Sequence, residues 1–228
     1  MKFYIVSCNL GRVQRLARAV MPLQLDMYVI ESPLKNDPEV LRRGHGCFQR
    51  GSYPAGVAAT LGHIRAMKEF IKTGDPIAAI LEDDVRFHKN FRDVAERVER
   101  YMLSNSDANV ISMGFINLPE GEVENVGGVM MIRNVGVSNP WGCQCYAITR
   151  EYAIWFVNYF EVEDIASVYQ GVFVTDWVIF DPALGCRRHT LTHPVVVESP
   201  DEQSIVAEGA PSNKPDLFAV LDKSAYFL

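Results

Sequence analysis

The sequence predicts an α/β fold with a mainly parallel central sheet, and two observations carry this prediction. In the first half of the 228-residue chain, short apolar runs alternate with longer segments of helical periodicity. Such alternation is typical of right-handed βαβ units, in which neighbouring strands run parallel. The second half has further strands and one clear helix in no regular order, so we expect the sheet to be mixed there.

The elements follow from local patterns along the chain. Apolar and β-branched runs predict strands at 3–6, 27–30, 78–81, 129–132 and 144–148. Apolar residues at helical spacing predict helices at 12–20, 57–72, 90–102 and 151–160. The connection 31–55 has no clear periodicity and is expected to be a lid, a binding loop or a disordered segment. From residue 198 onward we expect a tail or a flap.

Composition and charge narrow the class of protein. With 48% hydrophobic and 22% charged residues, the chain can build one sizeable core. A net charge of -6 argues against a general nucleic-acid binder, and no run is long enough for a transmembrane segment. The five cysteines lack the spacing of common zinc sites, which fits reduced thiols in a cytoplasmic protein. Cys143 and Cys145 are expected on one face of a strand, as small buried residues.

Three consecutive carboxylates, Glu82, Asp83 and Asp84, follow directly after the predicted strand 78–81. Open α/β sheets bind their ligands at the carboxyl ends of the strands. Acids crowded at that edge repel one another and lose hydration, and a divalent cation relieves both effects. Mg2+ and Mn2+ prefer oxygen ligands, so the pattern indicates a metal site. The alternative is a solvated acidic loop that caps the helix 90–102.

The order of several motifs resembles glycosyltransferase family 25, the lipooligosaccharide and collagen-type galactosyltransferase family. The segment 53–64, which leads into the predicted helix 57–72, precedes a Leu-Glu-Asp-Asp motif at 81–84. The same order is found in that family. The segments 5–10, 145–150 and 174–177 are similar to its opening strand, its Tyr-x-Ile-Ser block and its late Val-Asp segment. The resemblance spans residues 3 to about 205, with the acidic block as its most specific part.

The resemblance implies a GT-A-like fold in a single domain, 1–228. Its parts are a nucleotide-binding half (1–105), an acceptor and catalytic half (106–197) and the tail or flap (198–228). It further implies an inverting, Mn2+- or Mg2+-dependent hexosyltransferase that uses a nucleotide sugar, with UDP-galactose favoured. The acceptor is then a glycan or a lipid-linked glycan, as in lipopolysaccharide biosynthesis. We expect a cytoplasmic protein, peripheral to a membrane where the acceptor is lipid-linked.

The resemblance places the metal-binding acid at Asp84. Glu82, two residues earlier, is expected to contact the nucleotide ribose, or the metal through water. Residues expected at the donor site are Glu82, Asp83, His63, Arg12 and Asn9. His63 matches a histidine of the family, and a structural histidine is the alternative.

An inverting transfer also needs a base that takes the proton from the acceptor hydroxyl. Asp176 is our candidate because it follows the apolar residues 172–174 and is expected to end a strand. Trp177 beside it is placed to stack on a sugar ring or to pack in the core. The alternative for Asp176 is a helix cap.

Two departures from the family pattern keep a second hypothesis open. The family's Gly-Glu pair falls on Ala55 and Gly56, and its serine before the histidine falls on Gly62. The alternative is therefore a transferase-like protein that binds a sugar nucleotide or glycan without turnover. A haloacid-dehalogenase-type phosphatase is disfavoured because residues 7–9 lack its nucleophile. A Rossmann methyltransferase or dehydrogenase is disfavoured because the first predicted strand is not followed by a glycine-rich turn.

Overall fold

The computed structural model describes residues 1–133, 135–136, 139–199 and 225–227. The strands are β1 Lys2–Ser7, β2 Met27–Glu31, β3 Ile77–Glu82, β4 Val85–His88, β5 Val110–Gly114, β6 Val123–Val126, β7 Val129–Ile132, β8 Cys145–Thr149, β9 Arg188–Leu191, β10 Val196–Glu198 and β11 Tyr226–Phe227. The helices are α1 Leu10–Val20, α2 Pro38–Arg43, α3 His45–Phe48, α4 Pro54–Thr73, α5 Phe91–Ser104, α6 Arg150–Tyr159 and α7 Thr175–Ile179.

The strands form one mixed sheet in the order β11-β4-β10-β5-β8-β3-β1-β2, with β9, β7 and β6 attached beside β5. β2, β1 and β3 are parallel, which confirms the prediction for the first half of the chain. β8 runs antiparallel between β3 and β5, so the second half is mixed, as expected. The α/β fold class is therefore confirmed.

Helices cover both faces of the sheet. One apolar core contains buried residues of α4, α6 and α7, and the other contains buried residues of α1 and α5. Side chains of β1 and β3 alternate between the two cores: Tyr4 and Ile80 pack in the first, Ile5 and Leu81 in the second. Because both faces are buried, these strands read as continuous apolar runs in the sequence.

Several elements differ from the expectation. The connection 31–55 is not structureless, because it contains α2, α3 and the first residues of α4. Asp37 caps α2 by accepting a hydrogen bond from the Glu39 amide. The short strands β4, β5, β6, β9 and β10 were not predicted, because runs of three to five residues give too little periodicity.

The predicted tail or flap at 198–228 lies mostly outside the described residues. β11 pairs with β4 in antiparallel register, so this part of the predicted tail belongs to the sheet. Among the residues that are described, no helix combines the length and apolar character needed to cross a membrane.

A glycine in α4 explains one of the departures from the family pattern. A Cβ atom on Gly62 would lie 2.5 Å from Ser32 Oγ and 2.7 Å from Val6 Cγ1. Cβ atoms do not approach other atoms this closely, so any side chain at position 62 would force α4, Val6 or Ser32 to shift. A serine at this position would meet the same overlap.

We expect Gly62→Ala to lower the free energy of unfolding by about 1–3 kcal/mol, because the added methyl overpacks the helix–sheet contact. Urea unfolding followed by circular dichroism measures this. The matched control is Gly56→Ala in the same helix, where the nearest atom to the new Cβ is the Phe173 carbonyl oxygen at 3.3 Å. An equal loss in both variants would contradict close packing at Gly62.

Candidate active site

The acidic triplet lies where the parallel arrangement brings the carboxyl ends of β1 and β3 together. Val6 pairs with Glu82, so Ser7 and the first turn of α1 face Asp83 and Asp84 across the sheet edge. This position is the one predicted for a ligand site in an open α/β sheet. The other end of β3 starts at Ile77, beside the carboxyl end of β8.

Asp83 is held by two groups of the first βα connection. Its Oδ2 accepts a 2.5 Å hydrogen bond from Ser7 Oγ, and its Oδ1 accepts one of 3.3 Å from Arg12. The pKa of Asp83 is nevertheless raised, because loss of hydration outweighs these two contacts. Ser7 was not singled out from the sequence, since a serine after a strand carries no specific signal.

Asp84 is the more deeply buried acid, at 7% exposure. Its Oδ2 lies 3.6 Å from Arg12 Nη1, while its buried Oδ1 has no hydrogen-bond partner in the described part of the chain. Loss of hydration raises its pKa well above the usual range, and the nearby charges of Glu82 and Glu198 add to the effect. Glu198 comes from β10, which pairs with β4 next to Asp84.

A cavity of about 280 Å³ opens beside these acids. Glu82, Asp83, Asp84 and Arg12 line it together with residues of β1, the connection after β2 and α4. A second cavity, of about 410 Å³, adjoins the other side of Arg12, Asp83 and Asp84 and includes Arg15. The acids therefore stand between two cavities, and Arg12 borders both. The two cavities make the acids accessible to a ligand. The expected roles of Asp84 in metal binding and of Glu82 and Asp83 in donor binding stay predictions.

His63 is fully buried in α4 and lines the first cavity. Its Nδ1 lies 2.9 Å from the Tyr146 hydroxyl. Its Nε2 lies 3.9 Å from Cys143 Sγ and 3.9 Å from Glu82 Oε1. The Cys143 thiol in turn donates to Glu82 Oε1 at 3.4 Å.

The neighbours of Cys143 argue against a cysteine nucleophile. Burial raises the pKa of its thiol well above the usual range, and the charge of Glu82 raises it further. An activated cysteine needs a cationic neighbour that favours the thiolate. Cys143 also precedes β8 and packs in the first core, whereas Cys145 packs in the second. The expectation that both cysteines share one strand face was therefore wrong, since β8 begins only at Cys145.

Asp176 does not end a strand, which corrects the sequence expectation. It lies in the first turn of the short helix α7, and residues 172–174 are not a strand. Its Oδ2 accepts a 2.9 Å hydrogen bond from the Gly142 amide and its Oδ1 one from the Trp177 amide. Loss of hydration raises its pKa despite these contacts. Asp176 is not among the residues that line the cavity beside the acids.

Asn9 lies outside the cavity lining as well. Its side chain caps α1 by accepting hydrogen bonds from the amides of Gly11 and Arg12 at 2.9 and 3.2 Å. This cap positions Arg12 at the start of the helix. The side chain of Asn9 thus supports the site through Arg12, while a donor contact by Asn9 itself stays a prediction.

The chain matches no protein-family model and no curated protein sequence. Among solved structures it is similar to protein A197 from STIV, at 15% identity and TM-score 0.40, over 86% of this chain and 83% of that one. It is also similar to a glycosyltransferase involved in glycosylation of the major capsid of PBCV-1, at 13% identity and TM-score 0.40, over 89% and 95%.

A third similar structure is mannose-1-phosphate geranyltransferase from Thermus thermophilus. The identity is 11% and the TM-score 0.33, over 82% of this chain and 56% of that one. Glycosyltransferase family 25 is not singled out, so membership in it stays a prediction.

We expect Asp84→Asn to raise the free energy of unfolding of the metal-free protein at neutral pH. The raised pKa means that the ionised carboxylate of Asp84 destabilises the fold. This penalty develops as the pH rises from the ordinary aspartate pKa, about 3.9, to the raised value, and it persists above it. The gain in unfolding free energy from Asp84→Asn should therefore vanish near pH 4. Urea unfolding at several pH values, with a chelator present, measures it.

Asp26→Asn removes the same charge at an exposed position and serves as the control. It should change stability little at any pH. A loss of stability in Asp84→Asn across the whole pH range would show instead that contacts of the ionised carboxylate, such as Arg12, stabilise the fold.

Proposed function

We propose that this protein is a metal-dependent, inverting glycosyltransferase that moves a sugar from a nucleotide-sugar donor to a glycan or glycoconjugate. The main support is Asp84: a buried carboxylate at the carboxyl end of β3, with one oxygen lacking a partner in the described part of the chain, beside an open cavity. A GT-A-like fold is part of the same proposal, as is a UDP-sugar donor such as UDP-galactose. We further propose a cytoplasmic protein acting on a lipid-linked glycan.

The residues at this edge fit a divalent cation. Asp83, Asp84, Glu82 and Glu198 bring four carboxylates together around the buried guanidinium of Arg12. The excess negative charge, and the lack of a hydrogen-bond partner for the buried Asp84 Oδ1 in the described part of the chain, favour a hard cation with oxygen ligands, Mn2+ or Mg2+. Asp84 is the proposed protein ligand. When bound, the cation would stabilise the negative charge that develops on the diphosphate leaving group.

The cavity of about 280 Å³ is the proposed donor site. Glu82 is the proposed partner of the ribose hydroxyls, while Arg12 and Lys35 bring positive charge to the lining for the phosphate groups. His63 borders the same cavity, with its Nδ1 2.9 Å from the Tyr146 hydroxyl, and its part in donor binding stays a prediction. Asp83 positions Arg12 and contributes negative charge.

Asp176 is the proposed general base. Its raised pKa suits proton abstraction from an acceptor hydroxyl, because a more basic carboxylate accepts a proton more readily. Trp177 next to it is 39% exposed and offers a ring face to an acceptor sugar. Because Asp176 must be ionised to act as the base, the rate of sugar transfer should rise as the pH passes through its raised pKa and level off above it.

One observation favours the second candidate, a protein that binds a sugar nucleotide or glycan without turnover. Arg12 lies 3.3 Å from Asp83 and 3.6 Å from Asp84, so a side chain already supplies part of the positive charge that the acids require. In this candidate the nucleotide binds in the same cavity, and Arg12 supports the acids in place of a metal.

Calorimetric titration with UDP, GDP and CMP tests the donor site. We expect one nucleotide to bind in the presence of Mn2+ and to lose most of its affinity with a chelator, or in Asp84→Ala. The exposed variant Asp26→Ala is the matched control and should bind as wild type does. Binding that is insensitive to chelator and to Asp84→Ala would support the second candidate. No binding of any nucleotide would overturn the transferase and leave only the glycan-binding form of the second candidate.

Asp176→Asn tests the proposed base, since an amide oxygen can still accept the Gly142 hydrogen bond. We expect the rate of sugar transfer to fall by about 10²–10⁴-fold, while metal-dependent nucleotide binding is retained. Asp181→Asn is the control, because Asp181 likewise accepts a backbone amide at the start of a short helix. Full activity of Asp176→Asn would exclude Asp176 as the base.

A further inference from the structure

We propose that His63, Glu82 and Cys143 form a second metal site, which binds Zn2+ rather than Mn2+ or Mg2+. The site does not depend on the proposed transferase activity, and Asp84 is not one of its ligands. Its three ligand atoms come from three separate parts of the chain: α4, the end of β3 and the segment before β8. The ligand atoms are His63 Nε2, Glu82 Oε1 and Cys143 Sγ.

The separations between these atoms are close to those of a tetrahedral zinc site. Usual zinc bond lengths to nitrogen, oxygen and sulfur place neighbouring ligands about 3.3–3.6 Å apart. The Cys143 Sγ to Glu82 Oε1 distance is 3.4 Å, and both distances from His63 Nε2 are 3.9 Å. A small movement of the Glu82 side chain, which is partly exposed, and of Cys143 closes the difference. The three atoms already form one face of a tetrahedron.

The hydrogen-bond partner of His63 Nδ1, the second imidazole nitrogen, also fits a metal bound at Nε2. Metal-bound histidines usually donate their second N–H to a neighbouring acceptor, which sets the tautomer and the ring orientation. His63 Nδ1 lies 2.9 Å from the hydroxyl oxygen of Tyr146, whose ring stacks on the imidazole at a centroid distance of 5.7 Å. Donation from Nδ1 to this oxygen leaves the Nε2 lone pair directed toward Cys143 and Glu82.

The chemical character of the three proposed ligands favours zinc over Mn2+ or Mg2+. A thiolate and an imidazole are soft and borderline ligands that favour zinc, whereas the carboxylates around Asp84 favour hard cations. On binding, the Cys143 sulfur forms a bond to the metal and its proton leaves to solvent, so a dication replaces the thiol hydrogen bond to Glu82. Three protein ligands leave the fourth position open, and two of the three, His63 and Glu82, line the cavity.

Cobalt substitution tests the site with a readout that does not require activity. Chelator-treated, untagged protein is titrated with Co2+ under reducing, oxygen-free conditions. We expect one equivalent to give a thiolate-to-cobalt charge-transfer band and the intense visible bands of tetrahedral cobalt. Equimolar Zn2+ should abolish both, and a large excess of Mg2+ should not. Absence of the charge-transfer band in wild type would overturn the proposal.

Variants identify the ligands. Cys143→Ser should lose the charge-transfer band, and Glu82→Gln should lose the tetrahedral bands or weaken binding. The matched control is Cys8→Ser, since Cys8 lines the same cavity but is not part of the cluster. It should keep the full spectrum, as should Asp84→Asn. If Cys8→Ser lost the charge-transfer band and Cys143→Ser kept it, the metal would be bound elsewhere and the proposed site would be refuted.

Two further measurements keep the test valid if a ligand variant fails to fold. Tyr146→Phe removes only the hydroxyl that orients His63, and we expect it to weaken Co2+ binding by about 10- to 100-fold while the charge-transfer band persists. X-ray absorption on zinc-loaded wild type should show one sulfur ligand. Unchanged affinity in Tyr146→Phe, or a zinc shell of oxygen and nitrogen alone, would contradict the assignment.

Discussion

The candidate site depends on a conflict between charge and burial at the end of β3. Asp83 and Asp84 are held at the edge of the core, close to Glu82 and Glu198, with the buried Arg12 guanidinium among them. Like charges in a poorly hydrated position raise one another's pKa and destabilise the fold. Arg12 offsets part of this penalty, and the proposed divalent cation would offset the rest.

The order of strands creates this conflict. β1 and β3 are parallel neighbours, so the first βα connection meets the acidic triplet at a single edge. Ser7 and Arg12 reach Asp83 from that connection, and the Asn9 cap sets the start of the helix that carries Arg12. A strand slipped by one residue would exchange the faces on which its side chains lie and break this arrangement.

Two groups of ligands of different chemical character lie side by side at this edge. The oxygen atoms around Asp84 favour a hard cation, while the nitrogen and sulfur of His63 and Cys143 favour zinc. Glu82 lies between them: its charge raises the pKa of Asp84, and its Oε1 accepts from Cys143. A cation bound by either group would therefore change the electrostatic environment of the other through Glu82.

The sequence by itself determined the strands and helices with clear periodicity and the position of the acids. The run before Glu82 is apolar because β3 is buried on both faces, and helix α4 shows its apolar stripe because it covers the sheet. These are local patterns, and local patterns predict local structure. The family resemblance directed attention to His63 and Asp176, whose roles in donor binding and catalysis stay predictions.

Only the tertiary structure decided which residues meet. Glu198 joins the acids through the pairing of β10 with β4, and Cys143 approaches His63 across 80 positions of the chain. It also decided that Asp176 lies in the first turn of a helix instead of ending a strand. Such contacts depend on pairing between distant segments, which leaves no periodic trace in the sequence. The choice of glycine at position 62 likewise follows from the approach of α4 to β1, a distance that only the packed structure sets.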